Sequence, residues 1–356
     1  MTHSRDSHTL ASLVVVLLTS SPVRVALVYW NEKMKAVICT SYGGSEVLQL
    51  EVRPLPVIHD HEYLIKVYAS SATTADWRIR SRSFPKGFGF LGRLIFGFNK
   101  PRQVILGSEL SGIVVERGAL ATEFNIGDEV IVQCGAKMGA YVEYKTVSDA
   151  DCIIRKPGAL NFEEAAVFSF GASAAWAYLI EKAMVEPGQK VLIHGASGSV
   201  GSAAVQIAKA AGAEVTAVCS HSNGDLVREL GADHVLDYQT NDFRKTGEQY
   251  DFIFDTTGQL SFMNSRHSLS KNGKLLLVSA DLPQMLQALI APLFGSRRVV
   301  TGVVNERRER LLAVVEMIKK GRYRVVVDKV FPLELIASAH RYIEKRHRRG
   351  NVAIRM

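Results

Sequence analysis

Cysteine is scarce in this chain. Its 356 residues hold four, Cys39, Cys134, Cys152 and Cys219, and no two form a CxxC pair. That spacing excludes a zinc ribbon and a disulfide framework, and it points to a reducing compartment, the cytoplasm. No apolar run is long enough to span a bilayer. "TLASLVVVLLTSS" (9–21) has the length of a signal-peptide core, but Arg5 ahead of it is offset by Asp6 and no A-x-A site follows. We therefore expect residues 1–33 to be an extension outside the fold, which starts at "MKAVICT" (Met34). Acidic residues are outnumbered, 35 against 43 Lys and Arg, for a net charge of +8. Much of the excess sits in "HRYIEKRHRRG" (340–350), which reads as the solvated face of a helix rather than a nucleic-acid patch.

The chain is long enough for two buried cores. From Met34 to about Arg155, short β-branched and aromatic runs such as "EYLIKVYASSA", "LSGIVVERG" and "DEVIVQCG" lie between Gly, Asp and Pro, which predicts a compact β-rich domain. "SFPKGFGFLGRLIFGFNKP" (83–101) interrupts it with Gly and Phe and little regular period. An amphipathic membrane contact is one reading; a loop beside a ligand cleft is the preferred one. After Pro157 the pattern changes. "NFEEAAVFSFGASAAWAYLIEKA" has helical spacing, with Asn161 placed as an N-cap. Strand-like and helix-like segments then alternate, and the strands are apolar throughout, as parallel strands are when helices cover both faces. A strand, a turn at Pro332 and a helix close the chain and are expected to return to the first domain.

"KVLIHGASGSVGSAAVQIAKAAG" places three glycines, Gly195, Gly198 and Gly201, between a strand and a helix. This context makes the motif a pyrophosphate site: a tight turn, an open backbone and close helix packing, with the helix N-terminus aimed at the anion. Val200, Ala203, Ala204, Ile207, Ala208 and Ala211 form the stripe expected against the sheet. The next strand, "VTAVC", lacks an acid at its carboxyl end. Ser220, His221, Ser222 and Asn223 follow instead. Nothing there repels a 2′-phosphate, which favours NADPH over NADH, although none of the four is Arg or Lys.

These stretches, together with "MKAVICTSYGGSEVLQL", "ILGSELSGIVVERG", "GAYVEYKTV", "ELGADHVLDY" and "YDFIFDTTG", resemble in order the medium-chain dehydrogenase/reductase superfamily. The likeness is greatest to its zinc-free, zeta-crystallin-like quinone oxidoreductases and runs over nearly all of Met34–Met356. It implies an α/β fold with a GroES-like substrate domain (34–155), a Rossmann domain (156–291), a C-terminal return (292–356) and a homodimer. The family's zinc enzymes carry a Cys within the segment matching "SSATTADWRIR" (70–80) and a Gly-His-Glu where this chain has Gly107-Ser108-Glu109. Both ligands are missing here, as are the four close cysteines of the structural zinc lobe, so no metal site is expected.

On the same resemblance Thr73, Asp76, Arg78 and Phe84 line the cleft. Thr73 would bond a substrate carbonyl and Arg78 would stabilise a developing oxyanion. Tyr141 is either a proton donor or an aromatic wall. Gly195, Ala196, Ser197, Gly198, Ser199, Val200 and Gly201 would hold the pyrophosphate. Ser220, Asn223 and Tyr238 would surround the 2′-phosphate, with the departure that the family often has Lys where Asn223 stands. Gly171, Ser173, Thr256, Thr257, Val278 and Ser279 would flank the nicotinamide half. The expected activity is hydride transfer from NADPH to a quinone or an α,β-unsaturated carbonyl compound. The alternative is a non-catalytic NADP(H) sensor or RNA-associated protein. Nucleic-acid and membrane partners are not expected. "DLPQMLQALIAPLFGSRRV" (281–299) is a lid, a dimer contact or both.

Overall fold

The structure is a computed structural model that describes residues 32–345 and 348–356. Residues 1–31 of the expected extension lie outside the described residues. The short runs after residue 32 fold as strands. β1 (Lys33–Cys39) and β2 (Leu48–Pro54) form an antiparallel pair. β3 (Glu62–Ser71), β4 (Glu109–Arg117), β5 (Glu129–Gln133), β6 (Tyr144–Ser148) and β7 (Cys152–Arg155) form most of a seven-stranded sheet. Tyr63, Ile65 and Val67 of β3 pack with Leu110, Val114, Val130 and Val132 in one core, and Ala69 joins Ile131 in another.

The second sheet is parallel. β8 (Lys190–His194), β9 (Glu214–Cys219), β10 (His234–Asp237), β11 (Tyr250–Asp255), β12 (Leu269–Leu277) and β13 (Arg298–Val300) lie in the order β10-β9-β8-β11-β12-β13. That order is the doubly wound Rossmann topology, and it opens a crevice where the strand order reverses, at the carboxyl ends of β8 and β11. β14 (Val327–Pro332) and β15 (Asn351–Arg355) pair in parallel, and β15 then pairs with β3 from Ala353↔Ser71 to Arg355↔Ala69. The end of the chain thereby completes the first sheet.

Several details differ from the reading of the sequence. The Rossmann sheet extends past residue 291, because the Leu282–Ile290 helix is a crossover that delivers β13 to β12. The long helix expected over 161–183 is broken into Phe162–Ala165, Ser169–Trp176 and a π-helical stretch, Ala177–Ala183. Residues 83–101 are not a loop throughout, since Gly89–Phe96 is helical. The Ser199–Ala210 helix buries more than one stripe. Ser202 and Gln206 are buried with the alanines, and the Gln206 amide exchanges hydrogen bonds of 3.0 and 2.7 Å with the Arg324 backbone. On the other side the Ser169–Trp176 helix comes so close that a Cβ on Gly171 would lie 2.7 Å from the Ser199 carbonyl oxygen.

Candidate active site

The glycine loop is shaped by backbone contact. Gly195 leaves β8 with φ +82°, a conformation that costs other residues strain. At Gly201 an added Cβ would sit 2.1 Å from the Gly195 carbonyl oxygen, so only glycine lets this helix start where it does. Gly198 differs: a Cβ there meets only that oxygen, at 3.6 Å, which leaves the outer side open. No side chain caps the first turn of the Ser199–Ala210 helix. Its first N–H groups and its dipole therefore point at the crevice. The loop is also tied to the far end of the chain, where Gly350 N donates to the Ser197 carbonyl at 2.7 Å.

A cavity of about 810 Å³ opens at this loop, large enough for a dinucleotide and a small substrate. Gly195, Ser197 and Gly198 line it from β8, and Ser220, Asn223 and Tyr238 from the β9 and β10 side. Thr256 and Thr257 line it from β11, and Thr74, Trp77 and Arg78 from the first domain. Asn223 is buried and donates from Nδ2 to Ser197 Oγ at 3.0 Å. His194, at the end of β8, has Nδ1 3.1 Å from the buried Asp255 carboxylate and 3.2 Å from Thr257 Oγ1. Asp255 also accepts from the Thr257 and Leu260 backbone. Although burial opposes it, these donors hold the Asp255 carboxyl below the usual range, so the aspartate is charged.

The structure sorts the remaining expected residues. Arg78 reaches the cavity, and its guanidinium donates to the Ser279 hydroxyl. Thr73 and Asp76 do not line this cavity. Asp76 is sealed at the start of the Thr74–Ser81 helix, where it accepts from Thr73 N at 2.8 Å, Thr73 Oγ1 at 2.6 Å and Gly107 N at 3.0 Å. Its role is to cap that helix and hold the loop before Ser108. Thr73 borders a separate recess of about 10 Å³ with Ser199, Arg348 and Asn351. Phe84 stacks on Phe96 at 5.7 Å and packs over Gly92, away from the main cavity.

Tyr141 is no donor to the cleft. Its hydroxyl is buried 3.2 Å from His340 Nε2, and burial first, then the nearby Asp76, push its pKa well above the usual value. Ala196, Val200 and Gly201 shape the loop from beneath, and Val278 packs against the core. Gly171 and Ser173 sit in the helix behind the loop. Ser173 Oγ is one of four buried side-chain polar atoms without a partner among the described residues, a free hydrogen-bonding group beside the expected nicotinamide end.

Three cations that sequence reasoning missed also line the cavity: Arg244, Lys345 and Arg348. Arg348 donates from Nη2 to Thr74 Oγ1 at 2.6 Å, which ties the C-terminal return to the first domain. Arg244 forms a two-pronged pair with Asp242, at 2.8 and 2.9 Å, which neutralises the nearest cavity carboxylate. Lys345 and Arg348 belong to the basic run read as a solvated face, and His340 in that run is wholly buried. The run's density of charge was the available signal, but its register toward the crevice was not.

The zinc-ligand positions are polar and buried. Ser108 Oγ lies 3.5 Å from Thr73 Oγ1. Glu109 accepts from Ser71 Oγ at 2.7 Å, from the Phe170 backbone at 2.8 Å and from the Ser169 hydroxyl. Burial nonetheless pushes its pKa up to about 7. Among the described residues no group of three or more His, Cys, Asp and Glu is placed to hold a metal ion.

Comparison with known proteins agrees with this architecture. Residues 59–186 match the alcohol dehydrogenase GroES-like domain family, and residues 230–354 match the zinc-binding dehydrogenase family. The chain is 32% identical to the mitochondrial NAD(P)H oxidoreductase RTN4IP1 of Bos taurus, across 90% of this chain and 89% of that protein. It is 30% identical to the chloroplastic quinone-oxidoreductase QR1 of Triphysaria versicolor, across 90% of this chain and 98% of that one. The solved quinone oxidoreductase of Coxiella burnetii superposes with a TM-score of 0.80 at 27% identity, covering 91% of this chain and 100% of that chain. The chain is an oxidoreductase of the medium-chain dehydrogenase/reductase superfamily and belongs to its quinone-oxidoreductase-like branch.

Proposed function

We propose that this protein binds NADPH in the 810 Å³ cavity and reduces a quinone or an α,β-unsaturated carbonyl compound without zinc. The observation that carries this reading is the composition of the crevice at the end of β9. Ser220, Asn223 and Tyr238 face it, Arg244 joins them, and the one carboxylate beside them, Asp242, is paired with Arg244. A 2′-phosphate would meet hydroxyl and amide donors there beside a neutral Arg244–Asp242 pair, and no unpaired acid among the lining residues. The close backbone approach at Gly201 and the uncapped helix N-terminus fit a pyrophosphate.

The chemistry that a reduced nicotinamide bound in this cavity would supply is a hydride for an electrophilic carbon. The chain's own residues do the rest. The open backbone at Ser197 and Gly198 and the uncapped first turn of the Ser199–Ala210 helix would hold the pyrophosphate, and Thr256 and Thr257 would flank the nicotinamide half. Arg78, held by Ser279, stabilises the negative charge that appears on the substrate oxygen. Conjugated acceptors need little Lewis-acid help, which suits a site without the Cys and His that the superfamily's zinc enzymes carry. With Tyr141 sealed away, water supplies the proton.

The reading includes a homodimer, supported by β13 standing as an unpaired sheet edge. It also includes a reducing compartment, supported by four buried free thiols. The test mixes the protein with NADPH or NADH and simple quinones or enals, following loss of the reduced-nicotinamide absorbance. Faster turnover with NADPH is expected. Tight NADPH binding without any turnover would make the protein a nucleotide-binding sensor instead.

A further inference from the structure

His194 ends β8 and brings an imidazole to the wall of the nucleotide cavity, its side chain 13% exposed. One edge of that ring is fully engaged. Nδ1 lies 3.1 Å from Asp255 Oδ1 and 3.2 Å from Thr257 Oγ1. Neither neighbour has a proton to give it. The Asp255 carboxyl is charged, and the Thr257 hydroxyl donates its own proton to Asp255 Oδ1 at 2.7 Å. The ring proton therefore sits on Nδ1, shared between two acceptors, and the neutral imidazole keeps its lone pair on Nε2. Nε2 has no hydrogen-bond partner among the described residues. Nor is it sealed away with the four buried polar atoms that lack one. It is an acceptor that opens on the cavity.

The sheet order sets the direction of that acceptor. In β10-β9-β8-β11, β8 has β11 on one side and β9 on the other. The Nδ1 edge is tied to the end of β11, so the Nε2 edge turns toward β9 and the segment after β10. Val218 of β9 lines the cavity there, as does Phe243, whose ring centroid is 6.2 Å from that of the imidazole. Both belong to one apolar core, unlike the hydroxyl and amide groups of Ser220, Asn223 and Tyr238 on the same side of the crevice. A ribose or a phosphate would lose hydration against Val218 and Phe243, whereas a flat aromatic base is suited to them. We propose that His194 reads the base of the nucleotide, Nε2 accepting a hydrogen bond from the exocyclic amino group of adenine while Val218 and Phe243 lie against the ring. An oxygen in place of that amino group would set two acceptors face to face, so His194 selects adenine. Asp255 is the positioning residue, because it keeps the proton on Nδ1 and the acceptor on Nε2. This role rests on the cofactor reading above and adds to it the residue that recognises the base.

The experiment titrates the full chain with NADPH and with its hypoxanthine counterpart, in which an oxygen replaces the adenine amino group, following nicotinamide fluorescence. The parent should bind NADPH about tenfold more tightly, the effect of one lost hydrogen bond that leaves an acceptor unpaired. His194→Phe should lose about tenfold in NADPH affinity and bind the two nucleotides within about twofold of each other. His194→Gln separates recognition from folding. Its amide can turn either an oxygen or an NH2 group to the base, so it should hold NADPH within about threefold of the parent and still lose the preference. Equal affinity of the parent for the two nucleotides overturns the proposal. So does a His194→Phe variant that loses both by the same factor, the mark of a contact to ribose or phosphate or of a structural role. A parent that binds neither nucleotide refutes the cofactor reading itself, whereas binding without preference refutes only the role of His194.

Discussion

The side-chain amide of Asn223 donates to the Ser197 hydroxyl across 3.0 Å, tying the end of β9 to the glycine loop. One residue thus connects the part of the crevice proposed to meet the adenosine ribose to the part proposed to hold the pyrophosphate. Replacing it with an acid changes charge at nearly constant size. Asn223→Asp should weaken NADPH binding at least tenfold and leave NADH binding within about threefold, because only the 2′-phosphate carries the charge that the new carboxylate repels. Titration of nicotinamide fluorescence checks this, and equal losses for both nucleotides would count against it.

Two glycines of the loop should respond differently to alanine. Gly201→Ala forces a Cβ to 2.1 Å from a backbone oxygen and 2.7 Å from Ala196 Cα. It should cost about 1–3 kcal/mol of stability, seen as a lower Tm, and weaken nucleotide binding as well. At Gly198 the nearest atom is 3.6 Å away, so Gly198→Ala should keep the Tm and lose only nucleotide affinity. A drop in Tm for both variants would contradict that division.

Arg78 joins the two domains through the Ser279 hydroxyl and lines the cavity. Arg78→Met should lower kcat with an enone about a hundredfold, as loss of an oxyanion donor does elsewhere, while NADPH affinity stays within about threefold. If kcat is unchanged and only KM rises, Arg78 binds substrate without stabilising the developing charge.

Glu109 predicts a pH dependence. Burial raises its pKa from 4.5 to about 7, so between those values the folded chain binds more protons than the unfolded one. Stability from this group therefore falls as pH rises from about 4.5 to about 7, by roughly 3 kcal/mol at 1.36 per unit. His340 acts in the opposite sense. Burial first, then the Arg80 charge, lower its pKa from 6.5 to about 3. Its contribution is present above about pH 6.5 and is lost as pH falls toward 3. The two slopes oppose each other in the wild type, so the useful comparison is with Glu109→Gln. The variant should gain on the wild type as pH rises from about 5 to 7.5. A difference in stability that stays constant across that range would show that Glu109 is not the group responsible.

Some of the site is legible because its chemistry is local. Gly195, Gly198 and Gly201 fall within seven residues, between an apolar strand-like run and an alanine-striped helix, and that local context announces a tight loop at a helix N-terminus. That Ser108 stands where the superfamily's zinc enzymes have His is legible only through the family resemblance. The Gly89–Phe96 helix was harder. Periodicity reports where apolar residues fall and does not say which side meets solvent, so Gly89–Phe96 read as an irregular loop.

Thr73, Asp76 and Phe84 show the other limit. Resemblance placed them near the cleft, yet a capping box draws Asp76 inward and a ring stack turns Phe84, from the preceding loop, onto the Gly89–Phe96 helix.

What the sequence determined by itself is the alternation that builds two sheets, the glycine cradle and the absence of an acid after β9, because each depends on neighbours a few residues apart. Only the tertiary structure decided which cations reach the nucleotide crevice. Arg244 follows β10, and Lys345 and Arg348 precede the last strand. They converge because β15 returns to β3, and Gly350 bonds the Ser197 carbonyl on the way. That long-range pairing is set by the burial of both sheets together, and no local pattern in the chain records it.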